Sequence, residues 1–467
     1  MENAAPENTS DEEDNFLIFL LLKGGLFLLI LYVVWIYVDF NYDPRPRLVS
    51  KNSSLRPYFL QKCLGLRSPF VPTVWAFSPH VQTALSTVVC PATVPRIERE
   101  YLEMKDGGVV ALDWATFEEK AVNDHRDVVI VVCGFATTGT AVARICYAAW
   151  SRGFQPVVFR QRGYTDVPLT TSRLQSFGDP SDFREALKYV RATNPGSDLT
   201  AVSLSTGCGV LVSYLGEYGS SSYLTAAVCI SPIYCAETFF SFRDISNIYR
   251  WILLQGQKVL LLSHVSCLQK VDALDGTSAL RTGSMAEFEE MVFAKTNGVH
   301  TMDEYWEQNE PMREIDEVAV PLLCISSKDD PLVPEESIPT ELFLTYPHFF
   351  LALTERGGHC GFFEGFRPET RAERLAFELL RAAQKLNVAA HANGNGIMHE
   401  SIVVTPMKVR HPEKKTLSEI SNLKLLTRNW KRLDVGHTVT CSPGARLRGG
   451  GSGGAGRVNP GPNISAG

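Results

Sequence analysis

The sequence predicts an α/β fold built on a mostly parallel sheet, and three observations carry that prediction. Short apolar, β-rich runs alternate with helical patterns from about residue 73 onward, as expected where crossover helices join parallel strands. One of those runs turns abruptly into a helical pattern through Ser203-Leu204-Ser205-Thr206-Gly207-Cys208-Gly209. Two later runs are followed by loops that carry Asp330 and His359.

The chain has 467 residues, 45% hydrophobic and 21% charged, which suits one large domain of roughly 250 to 300 residues with extensions. The total charge is −6, and it is uneven. Residues 391–467 carry 11 Lys and Arg against 4 Asp and Glu, a surplus of +7 that leaves −13 for the remainder. An acidic main body argues against nucleic acid as the principal partner. The 11 cysteines include no C-x-x-C pair and are odd in number, so they read as neither a zinc framework nor a disulfide scaffold. Several sit inside apolar runs, Cys229 and Cys324 among them, where a thiol serves as a small hydrophobe. Reduced thiols facing the cytosol are the simpler reading.

At the N-terminus, an acidic stretch (1–15) precedes 23 residues, Phe16 to Val38, that are apolar except for Lys23. At a 1.5 Å rise they span roughly the 30 Å hydrocarbon thickness, which predicts a transmembrane helix. A cleaved signal peptide is the alternative, but it requires a basic start, and here Glu12, Glu13 and Asp14 lead in. Lys23 is expected to snorkel. The flanking basic residues Arg45, Arg47, Lys51 and Arg56 all follow the segment, so a single-pass protein with its main domain on the cytosolic side is expected; the endoplasmic reticulum or another internal membrane is a compatible location. Glycosylation of the Asn52 sequon would reverse that orientation.

Residues 39–72 read as a linker and 73–390 as the main domain. Strands are predicted at Val128 to Val132, Gln155 to Phe159, Leu199 to Ser203, Ala226 to Ser231, Pro321 to Ser326 and Phe349 to Leu353. A helix is predicted at Asp179-Pro180-Ser181-Asp182, where an Asp caps and Pro takes the first turn. The stretch from about 235 to 318 is too long for a simple crossover and contains Phe239, Phe240 and Trp251, so a helical cap over the sheet is expected. Residues 391–467 lose strand patterning and end in a Gly-rich run. They read as a disordered basic tail, with Leu417, Ile420, Leu423 and Trp430 as a docking segment for membrane or a protein partner, or as a solvated stretch.

The chemistry is carried by an ordered set. A strand, a tight turn and a helix around Ser205 make a nucleophile elbow, which needs small residues so that sheet and helix can approach while the hydroxyl projects. Gly207 meets that need, whereas Ser203 stands where Gly is usual. Asp329 and Asp330 follow one strand, and Gly357-Gly358-His359 follows the next. The order Ser, Asp, His, with spacings of 125 and 29 residues, fits a triad in which the acid orients the imidazole and the imidazole takes the serine proton. The loop Cys133-Gly134-Phe135-Ala136 after the Val128 to Val132 run would offer the backbone N–H of Phe135 to an oxyanion, with that of Thr206 as its partner. A plain strand-to-helix turn is the other reading of that loop.

With these residues in place the chain resembles the α/β-hydrolase domain-containing family, in its membrane-anchored esterase and lipase branch. The resemblance runs from about Phe77 to Leu386. Its motifs are Ser78-Pro79-His80-Val81-Gln82-Thr83, Asp106-Gly107-Gly108, Leu112-Asp113-Trp114, Arg160-Gln161-Arg162-Gly163, Gly178-Asp179-Pro180-Ser181-Asp182, Tyr214-Leu215-Gly216-Glu217, Asp329-Asp330-Pro331 and Gly357-Gly358-His359-Cys360-Gly361-Phe362. It implies an eight-stranded sheet with a variable cap, hydrolysis of acyl esters, plausibly lipid, and Ser205, Asp330 and His359 as the triad, with Asp330 rather than Asp329 as the acid. The chain departs from the family pattern at Ser203, at Thr206 in place of Met or Leu, and at Cys208 in place of Gly. No cofactor or metal is expected, and His80 reads as structural. A catalytically weak hydrolase-like membrane scaffold that binds a protein partner is the alternative function.

Overall fold

The computed structural model describes residues 18–30, 32–33, 44–117, 127–164, 166–241, 246–268, 274–365 and 369–392. Nine strands form one sheet: β1 (Arg47–Val49), β2 (Arg96–Glu103), β3 (Val109–Thr116), β4 (Asp127–Val132), β5 (Phe154–Arg160), β6 (Leu199–Leu204), β7 (Ala226–Ile230), β8 (Leu322–Ser327) and β9 (Phe349–Thr354), in the order β1-β9-β8-β7-β6-β4-β5-β3-β2. The stretch from β5 through β4 and β6 to β9 is parallel, and β1, β2 and β3 pair antiparallel at the two edges.

The central strands are buried along their length. Alternation then sends Val128, Ile130 and Val132 to the core on one face and Val129 and Val131 to the core on the other. Two covered faces explain why these strands read as near-continuous runs of Val, Ile, Leu and Phe. In β5, the antiparallel pairing with β3 covers only Val157–Arg160. Pro156, which has no N–H to give, lies just outside it, and the Gln155 side-chain amide donates to the Ala115 carbonyl instead (3.0 Å).

Two expectations are corrected. The sheet has nine strands rather than eight, because the segment read as a linker joins the domain. Its Arg47–Val49 strand pairs with Leu351–Leu353, and the Leu55–Lys62 helix packs Phe59 edge-on against Phe350. The Tyr58 hydroxyl of that helix donates to the Ala382 carbonyl of the Arg371–Ala392 helix at 2.9 Å. Among the described residues no helix is long and apolar enough to cross a membrane. The predicted span, 16–38, lies partly outside them, and the predicted docking segment of the tail lies wholly outside.

Between β7 and β8 the chain forms the cap. Its helices include Ala236–Ser241, Asn247–Ser263, Gly276–Arg281 and Met302–Asn309, with a π-helical turn at Glu289–Ala294. The Asn247–Ser263 helix buries Leu253, Leu254, Gln257 and Leu261 and leaves Ile248, Trp251, Ile252, Val259 and Leu262 exposed.

Several of the family motifs are internal braces. The Arg162 guanidinium, 1% exposed, donates to Asp182 (2.6 Å from both Nε and Nη2) and Asp106 (2.7 Å), tying three motifs together. Asp113 is held in the same way between Arg99 (2.6 and 2.9 Å) and Arg160 (2.8 Å). Buried charges are tolerated only when paired and hydrogen-bonded, so these residues are accounted for as internal braces.

Candidate active site

The sheet's winding places the site. The chain runs from β4 to β5 on one side and then returns to add β6 on the other. At such a reversal the loops leaving the carboxyl ends of neighbouring strands diverge and open a crevice. Here those loops are Cys133–Thr138 after β4 and Ser205–Thr206 after β6.

Ser205 has a φ of 51°, a left-handed conformation that costs a non-glycine residue about 1–2 kcal/mol. Two backbone bonds hold it there: the Ser205 N–H donates to the Ile230 carbonyl at 3.0 Å, and the Cys208 N–H to the Ser205 carbonyl at 3.0 Å. The helix Gly207–Tyr218 starts directly afterwards. At Gly207 a Cβ would fall 2.6 Å from the Val132 carbonyl oxygen, so only glycine lets the helix begin this close to β4. The departure at Ser203 also has a physical account. Its hydroxyl is fully buried and lies within hydrogen-bond distance of the sulfurs of Cys208 (3.1 Å) and Cys229 (3.2 Å), which share its one proton. The extra atoms of Ser203 and Cys208 therefore satisfy each other beneath the elbow.

The structure brings together the three residues that the sequence separates. The Ser205 hydroxyl lies 2.8 Å from Nε2 of His359, and Nδ1 of His359 lies 2.8 and 3.1 Å from the two oxygens of Asp330. Asp330 accepts the backbone N–H groups of Leu332 (2.8 Å) and Val333 (3.1 Å) as well. A carboxylate can only accept, so the proton of His359 belongs on Nδ1, leaving Nε2 to accept from Ser205. Burial works against a charged imidazole here, but the Asp330 carboxylate outweighs it and holds the His359 pKa well above its usual value.

The histidine loop is held by side chains from several elements. The His359 N–H donates to the Thr83 hydroxyl at 2.9 Å, the Gly358 N–H to Asp329 at 2.9 Å, the Cys360 N–H to the Ser231 hydroxyl at 2.9 Å, and the Phe363 N–H to the Gln82 side-chain oxygen at 2.7 Å. Thr83 and Gln82 belong to a motif noticed in the sequence without a role, and Asp329, set aside as the acid, anchors the loop. Ser231 carried no sequence signal. His80, from the same motif, meets Tyr249 of the cap at 2.9 Å, which fits a structural histidine.

At the predicted oxyanion hole the finding differs from the expectation. The Phe135 N–H donates to the Thr206 side-chain oxygen at 3.1 Å, across from the start of the helix. Behind Phe135 lies a cavity of about 340 Å3 between the loop after β5 and the cap, lined by Tyr164, Gln257, Val259, Leu260 and His264 among others. Among the described residues no group of His, Cys, Asp and Glu could hold a metal ion.

The Hydrolase_4 family, described as serine aminopeptidase S33, matches residues 123–365. Protein ABHD15 of Homo sapiens is 36% identical over 374 residues, which make up 77% of this chain and 79% of that protein. This chain is a serine hydrolase of the α/β-hydrolase family. Phospholipase ABHD3 of Mus musculus is 27% identical, with 72% of this chain and 84% of that protein covered. Monoacylglycerol lipase ABHD2 of Homo sapiens is 28% identical, with 72% and 85% covered.

Proposed function

We propose that the protein hydrolyses acyl esters of lipids, with Ser205 as nucleophile, His359 as general base and then acid, and Asp330 fixing the imidazole. The observation that carries this is the unbroken relay Ser205 Oγ–His359 Nε2 and His359 Nδ1–Asp330, both at 2.8 Å, on a serine held at positive φ. The serine proton passes to Nε2 as Oγ bonds to the ester carbonyl carbon and the carbonyl electron pair moves to its oxygen. That oxygen is met at the Thr206 N–H, at the positive end of the Gly207–Tyr218 helix. The imidazolium then gives its proton to the departing alcohol, and water repeats the sequence to release the acid.

The lipid assignment draws support from relatives named phospholipase and monoacylglycerol lipase. The cavity behind Phe135 is of ligand size, and the apolar face of the cap helix supports the same assignment. With purified protein and a lipid ester, Ser205→Ala should lower kcat by about three decades or more. Unchanged hydrolysis would overturn the assignment of Ser205.

The apolar run Phe16 to Val38 and the basic residues after it support a single membrane pass with the hydrolase domain in the cytosol. Protease should then digest the domain in intact microsomes, and sugar at Asn52 would reverse the orientation.

A further inference from the structure

The oxyanion hole of this chain is wired differently from one that uses two backbone donors. The Phe135 N–H is committed to the Thr206 hydroxyl oxygen at 3.1 Å. Thr206 is also the residue whose own N–H is the second donor. The contact is close: at Gly134 a Cβ would lie 2.6 Å from the Thr206 hydroxyl oxygen and 3.0 Å from the Thr206 nitrogen. The side chain is thus wedged between the loop after β4 and the start of the helix. Its proton is a different matter. Among the described residues the Thr206 hydroxyl donates to no protein acceptor, and Thr206 is only half-buried.

A hydroxyl that accepts an N–H becomes a stronger donor through its own hydrogen. We propose that the Thr206 hydroxyl is itself an oxyanion donor, paired with the Thr206 N–H, and that Phe135 is a positioning residue acting through it. The proposal rests on Ser205 being the nucleophile. As the Ser205 Oγ–carbon bond forms and the π pair moves to the carbonyl oxygen, Thr206 keeps its proton and donates a hydrogen bond to the new oxyanion. The Phe135 N–H fixes the rotamer and polarises the hydroxyl. Met or Leu at this position leaves the Phe135 N–H to act directly; Thr inserts one hydroxyl between it and the substrate. The opposite reading of the same contact is a hydroxyl that blocks the hole.

The test measures hydrolysis of a p-nitrophenyl acyl ester by the full-length protein. Removing one oxyanion donor costs about 10²–10³ in kcat, and a freed Phe135 N–H would restore part of this. Thr206→Val and Thr206→Ala should therefore lose about 10–100-fold in kcat with little change in KM, and Thr206→Ser should stay within about threefold of wild type. If Thr206→Val folds poorly, the comparison of Ser with Ala at this position decides alone. A Thr206→Ala variant with kcat at or above wild type would overturn the proposal and indicate a block. Ser205→Ala run alongside separates the two claims. If it is inactive while Thr206→Ala matches wild type, only the role of the hydroxyl fails, and if it remains active the nucleophile assignment itself is wrong.

Discussion

Asp330 and Glu289 are both buried carboxyl groups, one at the carboxyl edge of the sheet and the other in the cap, and they are held by different kinds of partner. Asp330 accepts two backbone N–H groups and the imidazole of His359. Among the described residues Glu289, 2% exposed, accepts only the Tyr305 hydroxyl (2.6 Å) and the Gln257 amide (2.7 Å). Burial therefore dominates at Glu289 and pushes its pKa up to about 7. The sheet edge fixes Asp330 with backbone donors that cannot rotate away and sets it against the imidazole that the proposed mechanism makes cationic. The cap holds a carboxyl that burial shifts toward its neutral form, and among the described residues the Gln257 side-chain oxygen has no partner. Similar burial thus goes with backbone donors and an imidazole partner in one layer and with two side-chain donors in the other.

The contrast breaks first at Asp330. Asp330→Asn keeps the shape but removes the acceptor that selects the Nδ1–H tautomer, so kcat should fall by about three to four decades with the fold retained. In the proposed mechanism catalysis requires neutral His359, whose pKa is raised by Asp330 against the effect of burial. In the wild type, activity should accordingly be lost on acidification at a pH above the ordinary histidine value. In Asp330→Asn the residual activity should titrate at a lower pH. A pH profile unmoved by the substitution would separate Asp330 from the base.

The second prediction is smaller and belongs to stability. Because the folded pKa of Glu289, about 7, stands above its unfolded value, the neutral acid favours the folded state at low pH, and that contribution is lost as pH rises through about 7. Glu289→Gln should match the wild type below about pH 4.5 and exceed it at pH 8 by on the order of 3 kcal/mol. The Gln257 oxygen can turn to accept the new amide. Chemical denaturation at the two pH values checks this, and equal differences at both would show that Glu289 stays ionised.

The same two layers differ in how far they were legible in the sequence. Strands β4 to β9 were placed within a residue or two, because both faces are covered and each reads as one apolar run. The edge strands were missed. Arg96-Ile97-Glu98-Arg99-Glu100-Tyr101 in β2 is half-solvated and mixes charges with apolar residues, and β1 is three residues long. The cap was expected as helical, but its internal order depends on contacts such as Glu289 with Tyr305, which no local pattern marks. At the site, Ser205, Asp330 and His359 could be found by order and strand context. Thr83 and Ser231 could not, because each meets the histidine loop across more than 100 residues of chain. Thr206 was visible as a departure from the family pattern, but its meaning required the meeting with Phe135.

The central claim is that Ser205 is the activated nucleophile. It is tested most directly by treating the full-length protein with a fluorophosphonate and mapping the adduct by mass spectrometry. The predicted result is one adduct, on Ser205, absent from Ser205→Ala and formed far more slowly in His359→Ala. No adduct, or an adduct on another serine at the same rate in both variants, would contradict the account.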